Sequence, residues 1–163
     1  MKNKFSVYID KLQQTITSHI EKLDGKSKFI KDNWVREKGG GGLTMVLENG
    51  NIFEKAGVNV SKVFGELPDS MSEILSVNQS DFFACGISLV LHPKNPMAPT
   101  FHANLRYFEL YKNNKLKDSW FGGGLDLTPY YIFDEDVVHF HESCKKVCDK
   151  YNEKFYQNYK KKL

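Results

Sequence analysis

Residues 5 to 23 set Phe5, Ile9, Leu12, Ile16, Ile20 and Leu23 at intervals of 4, 3, 4, 4 and 3, and Gly25 follows. Such intervals keep side chains on one stripe of an α-helix, so the stretch predicts an amphipathic helix stopped by the glycine. Ser27 then reads as the cap of a second, short helix carrying Phe29, Ile30 and Trp34, ended by the run Gly39 to Gly42. Beyond the glycines the period drops to two. LTMVLE and NIFEKAG, separated by Asn49-Gly50, predict a hairpin. ACGISLVLH and TFHANLRYFELY flank a loop holding Pro93, Pro96 and Pro99, and KDSWFGGGLDL follows Asn113-Asn114. Roughly five strands, mostly joined as neighbours, predict an antiparallel sheet. Asp134 reads as the cap of a long final helix with Val137, His141, Cys144, Cys148, Tyr151 and Phe155 on one face. Helices at both ends of a run of strands make an α+β fold: an antiparallel β-sheet flanked by helices, in one domain over 1–163.

Composition narrows the class. A chain of 163 residues is about one domain, and 40% hydrophobic with 26% charged residues is globular rather than disordered. No run of eighteen apolar residues occurs, so no membrane span is expected. The N-terminus carries Asp10 inside its apolar pattern and no small-residue cleavage site, which points to the cytoplasm. Cys85, Cys144 and Cys148 are an odd count and argue against a disulfide framework; Cys144 and Cys148 read as small buried hydrophobes. The net charge is +3, but residues 145 to 163 hold seven Lys against Asp149 and Glu153, which leaves the remainder slightly acidic. Binding to nucleic acid is therefore not expected, and Lys160-Lys161-Lys162 reads as a solvated tail.

Candidate chemistry concentrates on one strand. Alternate residues of a strand share a face, so His102, Asn104 and Arg106 lie together, opposite Phe101, Ala103, Leu105 and Tyr107. One reading is an ordinary half-solvated strand. The other is a ligand face, since the polar residues span ~13 Å and suit a multi-point ligand bearing carboxylates. Arg106 is one of only two arginines, with Arg36, in a chain that otherwise uses Lys, and a planar bidentate donor matches a carboxylate. An even antiparallel register would bring Ser88 and His92 to the same face. Gly122-Gly123-Gly124 suggests a bulge or the close approach of a ligand to backbone. Asp126 is ambiguous: a two-residue turn at Asn113-Asn114 would turn it to the Phe101 side, and an odd-length loop or a bulge would turn it back. His141, on the apolar face of the last helix, fits a satisfied core histidine, and His19 and His139 receive no role.

The segments NIFEKAGVNVSKVFGELP, GISLVLHPKNPMAPTFHANLRYFEL, WFGGGLDLTPYY and DEDVVHFHESCKKVCD, in this order, closely resemble oxygen-dependent coproporphyrinogen III oxidases from about Trp34 to Lys154. The resemblance implies that an intact protein turns two propionates of coproporphyrinogen III into the vinyls of protoporphyrinogen IX, with O₂ as co-substrate, CO₂ and hydrogen peroxide as by-products, and no organic cofactor. This is a step of haem synthesis. It further implies a homodimer, Ser88, Asn104, Leu105 and Arg106 at the substrate, His102 as proton donor and Asp126 at the pyrrole NH groups. For some bacterial members it also implies a divalent metal, with His92, His102 and His141 at the matching positions. Family members are substantially longer, so the chain is expected to be the N-terminal portion of an incomplete domain, with an apolar sheet edge uncovered. The rival expectation is a truncated, non-catalytic module that binds tetrapyrroles or another protein.

Overall fold

The computed structural model describes residues 1–77 and 80–161. Helix α1 (Lys2–Asp24) leads into six strands: β1 (Ile30–Val35), β2 (Gly40–Glu48), β3 (Phe53–Glu66), β4 (Asp81–Pro93), β5 (Thr100–Lys112) and β6 (Lys115–Thr128). A short helix α2 (Asp69–Leu75) lies between β3 and β4, and α3 (Asp134–Asp149) and α4 (Glu153–Lys160) follow β6. The strands pair antiparallel in the order of the sequence, so the fold is the expected α+β arrangement on a simple meander.

The amphipathic stripe of α1 explains where the core sits. Ile9 and Ile20 are buried against Leu47, Val58, Cys85, Ile87 and Tyr107, all from one face of the sheet. Gln13 is buried among them because its Nε2 donates to the Leu43 and Val58 carbonyls at 2.9 and 2.8 Å. The end of α1 is fastened by Asp24, also buried. Its carboxylate accepts from the backbone N–H groups of Ser27, Asn51, Ile52 and Phe53 at 2.9–3.1 Å. Burial alone would raise the Asp24 pKa, but these backbone donors overcome it and hold the carboxyl far below its ordinary value. Gly50 is required there by space, since a Cβ on it would stand 2.2 Å from Asp24 Oδ1.

Five sequence expectations are corrected. The short helix after Ser27 is strand β1, which pairs with β2 from Ile30↔Val46 to Val35↔Gly41 and makes the count six. Five of its six residues are exposed, so no alternation announces it, as expected of an edge strand. The glycine run expected to end that helix instead enters β2. The long final helix is two helices, because Asn152 breaks it and caps α4 by accepting from the Lys154 N–H at 2.8 Å. Asp134 does not cap α3, whose N-cap position is Phe133 with no side-chain cap bond. Cys144 and Cys148 are half-buried rather than buried. In the basic tail, Lys162 lies outside the described residues. Among the described residues, no helix is long and apolar enough to cross a membrane.

Candidate functional site

The face of the sheet turned away from α1 is polar. The registers Thr44↔Asn59, Asn59↔Ser88, Ser88↔Asn104 and Asn104↔Gly124 form one cross-strand row. The next row runs Trp34, Gly42, Ser61, Gly86, Arg106, Gly122, and the row on the other side ends in Val90, His102 and Asp126. The first two rows line a trough of about 230 Å³ bounded by Trp34, Asn59, Ser61, Ser88, Asn104 and Arg106, and the third continues the same face beside it. Farther along the sheet, Met71 and Leu75 of α2 join a small apolar cluster with Phe82, Phe108, Leu110 and Trp120.

Bare positions in the floor have a local cause. Arg106 passes between two glycines: a Cβ on Gly86 would lie 3.2 Å from Arg106 Cβ, and one on Gly122 would lie 3.6 Å from its Cγ. The guanidinium is positioned by one bond, Nε donating to Asn104 Oδ1 at 3.2 Å, and the side chain is otherwise exposed to the trough. No glycine of this kind is needed opposite Asn104, where a Cβ on Gly124 would meet nothing within 4 Å.

The even register of β4 and β5 brings Ser88 and His92 to the face of His102, Asn104 and Arg106. The ambiguity over Asp126 is resolved by a bulge. Asn113 and Asn114 both take positive φ and form a two-residue turn that pairs Lys112 with Lys115, and Tyr111 with Leu116. Lys117 is then left without a partner, because Leu110 pairs with Asp118. That single extra residue shifts the rest of β6, and Asp126 arrives opposite His102.

His102 Nδ1 lies 2.9 Å from Asp126 Oδ2, and Thr128 Oγ1 donates to the same oxygen at 2.7 Å. The Thr128 hydroxyl first, and His102 second, hold the Asp126 carboxyl below its ordinary pKa. Asp126 is therefore a carboxylate with His102 Nδ1–H donating to it, and its Oδ1 makes no hydrogen bond within the described chain.

Leu105 does not share this face. It pairs with Ile87 and Gly123, so its side chain points to the α1 side and only its backbone borders the trough. The proposed metal ligands are not brought together either. His92 and His102 face one another edge-on with ring centroids 6.2 Å apart. His141 sits on α3, which packs on the opposite side through Phe101 and Phe140, and its Nδ1 is 2.9 Å from the Tyr156 hydroxyl. Among the described residues no three His, Cys, Asp or Glu side chains converge.

Trp34, Thr44, Asn59 and Ser61 are trough residues that the sequence reading did not single out. The alternation Val58-Asn59-Val60-Ser61 carries the signal for two of them, with apolar residues in the core and polar ones in the trough. For Trp34 the helical reading hid it.

Residues 4–163 match the family model described as "Coproporphyrinogen III oxidase". The chain is 47% identical over 169 residues to "Coproporphyrinogen-III oxidase 1, chloroplastic" of Arabidopsis thaliana, covering 97% of this chain and 44% of that protein. It is 50% identical to "Oxygen-dependent coproporphyrinogen-III oxidase" of Prochlorococcus marinus, covering 92% of this chain and 43% of the relative. A mitochondrial relative from Rattus norvegicus is 43% identical, with 99% of this chain and 38% of the relative covered. The chain thus spans less than half the length of these relatives.

Proposed function

The chain belongs to the coproporphyrinogen III oxidase family, and from that membership we propose that the full-length protein oxidatively decarboxylates two propionates of coproporphyrinogen III. In each cycle a propionate loses CO₂ and a hydrogen from its β-carbon, a vinyl forms, and O₂ takes up the two electrons and two protons as hydrogen peroxide. The observation that carries this reading is the His102–Asp126 pair beside the bare floor that holds Arg106.

Within that reaction Arg106 binds a propionate, because the guanidinium fork matches a carboxylate in shape and charge. Ser88 and Asn104 add neutral hydrogen bonds one row away. Asp126 Oδ1 accepts from a pyrrole N–H, and its negative charge favours loss of that proton, which makes the ring electron-rich enough to react with O₂. His102 delivers one of the two protons taken up by the reduced oxygen, and its Nδ1–H bond to Asp126 keeps the imidazole oriented. We read the intact protein as a homodimer in a reducing compartment, the cytoplasm; the odd count of three cysteines supports the compartment.

The test is oxygen uptake by the full-length protein with coproporphyrinogen, alongside product analysis. Two equivalents of O₂ consumed per protoporphyrinogen formed is the expected result. A folded protein that binds the tetrapyrrole without consuming oxygen would show a binding module instead.

A further inference from the structure

Strand β3 contributes two polar side chains to the trough, Asn59 and Ser61, which the fold itself does not use. Neither makes a side-chain hydrogen bond to another described residue, and Asn59 Oδ1 is sealed from solvent with no partner among the described residues. An asparagine in a strand interior is unfavourable, and an unpaired buried amide oxygen adds to that cost. Its neighbours Val58 and Val60 show what this strand selects where only packing matters. A polar group kept at a cost to the fold calls for a reason outside the fold.

Position supplies the reason. Ser61 pairs with Gly86, and Gly86 pairs with Arg106, so Ser61 and Arg106 flank one bare backbone position from opposite sides. Each is one strand spacing away, about 4.8 Å. Asn59 and Ser88 are partners in the adjacent row. A carboxylate seated over Gly86 is then within reach of the Arg106 fork on one side and of two donors on the other, the Ser61 hydroxyl and the Asn59 Nδ2 amino group. Asp32 limits the site: it pairs with Thr44 on the outer strands, and its charge keeps an anion on the Gly86 side of β3.

We propose that Asn59 and Ser61 are substrate-binding residues that complete, from β3, the grip on the same carboxylate that Arg106 holds from β5. This rests on the reading of the ligand as a tetrapyrrole carrying propionates.

The experiment measures affinity of the full-length protein for coproporphyrin, the oxygen-stable porphyrin with four propionates, in Ser61→Ala, Asn59→Leu, Arg106→Gln and the Ser61→Ala/Arg106→Gln pair. Ser61→Ala should weaken binding by about tenfold, the loss of one hydrogen bond to a charged group. In the Arg106→Gln background the same change should cost less than about twofold, because the shared carboxylate is already released. Asn59→Leu should weaken binding while melting no lower than the natural protein, since its amide contributes nothing to the fold. Full additivity of Ser61→Ala with Arg106→Gln, or unchanged affinity in both single β3 variants, would overturn the inference while leaving the proposed function standing. Failure of the natural protein to bind coproporphyrin would overturn both. Should Asn59→Leu not fold, Ser61→Ala and its pairing with Arg106→Gln decide the matter alone.

Discussion

Lys117 determines where Asp126 points. The turn at Asn113-Asn114 sets a register in which Leu125, not Asp126, would stand opposite His102, and the unpaired Lys117 moves the remainder of β6 by one residue. Because side chains alternate between faces, that one residue carries Asp126 from the α1 side of the sheet to the trough.

Deleting Lys117 should restore an unbroken ladder with Asp126 still opposite His102, because its neighbours Leu116 and Asp118 already pair with Tyr111 and Leu110. The sheet should survive with unchanged circular dichroism, and the full-length protein should keep its turnover. A fall of about 10²-fold or more would mean that the bulge itself, beyond the register it sets, orients the acid–base pair.

Arg106→Lys keeps the charge and loses the fork. Its kcat/KM should fall by about 5- to 150-fold, equivalent to ~1 to 3 kcal/mol of transition-state stabilisation. Steady-state kinetics with coproporphyrinogen measures it, and near-natural kinetics would show that a point charge is sufficient.

Asp126→Asn should be more severe, about 10²- to 10⁴-fold in kcat, because an amide neither takes nor stabilises a pyrrole proton. Binding of coproporphyrin should change little, since the carboxylate grip lies elsewhere on the sheet. A loss confined to affinity would instead make Asp126 an anchoring residue.

Asp24 governs stability and its pH dependence. Removing the carboxylate in Asp24→Ala leaves buried N–H groups unpaired and should cost about 3 kcal/mol or more in denaturant unfolding. Since the folded state holds this carboxyl below its ordinary value of 3.8, the stabilisation is complete above that pH and drains away as pH falls below it. The natural protein should lose stability steeply on acidification below about pH 4, and Asp24→Ala should show a flatter profile over the same window. Parallel profiles would mean that another carboxylate controls the acid transition.

The residues 1–161 expose Leu116, Phe121 and Leu125 on β6 and Val138, Val147 and Tyr159 on α3 and α4. This much apolar surface beside an unpaired strand edge should make the 163-residue chain self-associate when produced by itself. Light scattering tests it, and a monodisperse, cooperatively melting monomer is the contrary result.

How legible all this was in the sequence depended on burial. The β4 and β5 alternation was readable because one face meets the core and the other the trough, so His102, Asn104 and Arg106 separate cleanly from their neighbours. The edge strand β1, exposed on both faces, has no such contrast, and Phe29, Ile30 and Trp34 fell into a helical spacing by default. The Lys117 bulge left no mark because its cause is long-range: a lysine in KLKD looks the same whether paired or not, and only the competition between the Asn113-Asn114 turn and the pairing of the distal strand decides it. Asn152 offered a local signal, a side-chain cap in the middle of a sustained apolar period, which the periodicity concealed.

The way α1 covers the sheet has a consequence for synthesis on the ribosome. The helix is complete at Asp24, but the strands that bury Ile9 and Ile20 end only at Glu66 for β3 and Pro93 for β4. At typical translation speeds of about 5–20 residues per second, the apolar stripe waits several seconds for the surface it will cover. During that interval the nascent helix is an amphipathic segment without a partner, open to chaperones and to neighbouring chains. The β2–β3 hairpin brings the first contacts able to end it, with Gln13 bonding the Leu43 and Val58 carbonyls and Asp24 accepting from residues 51–53.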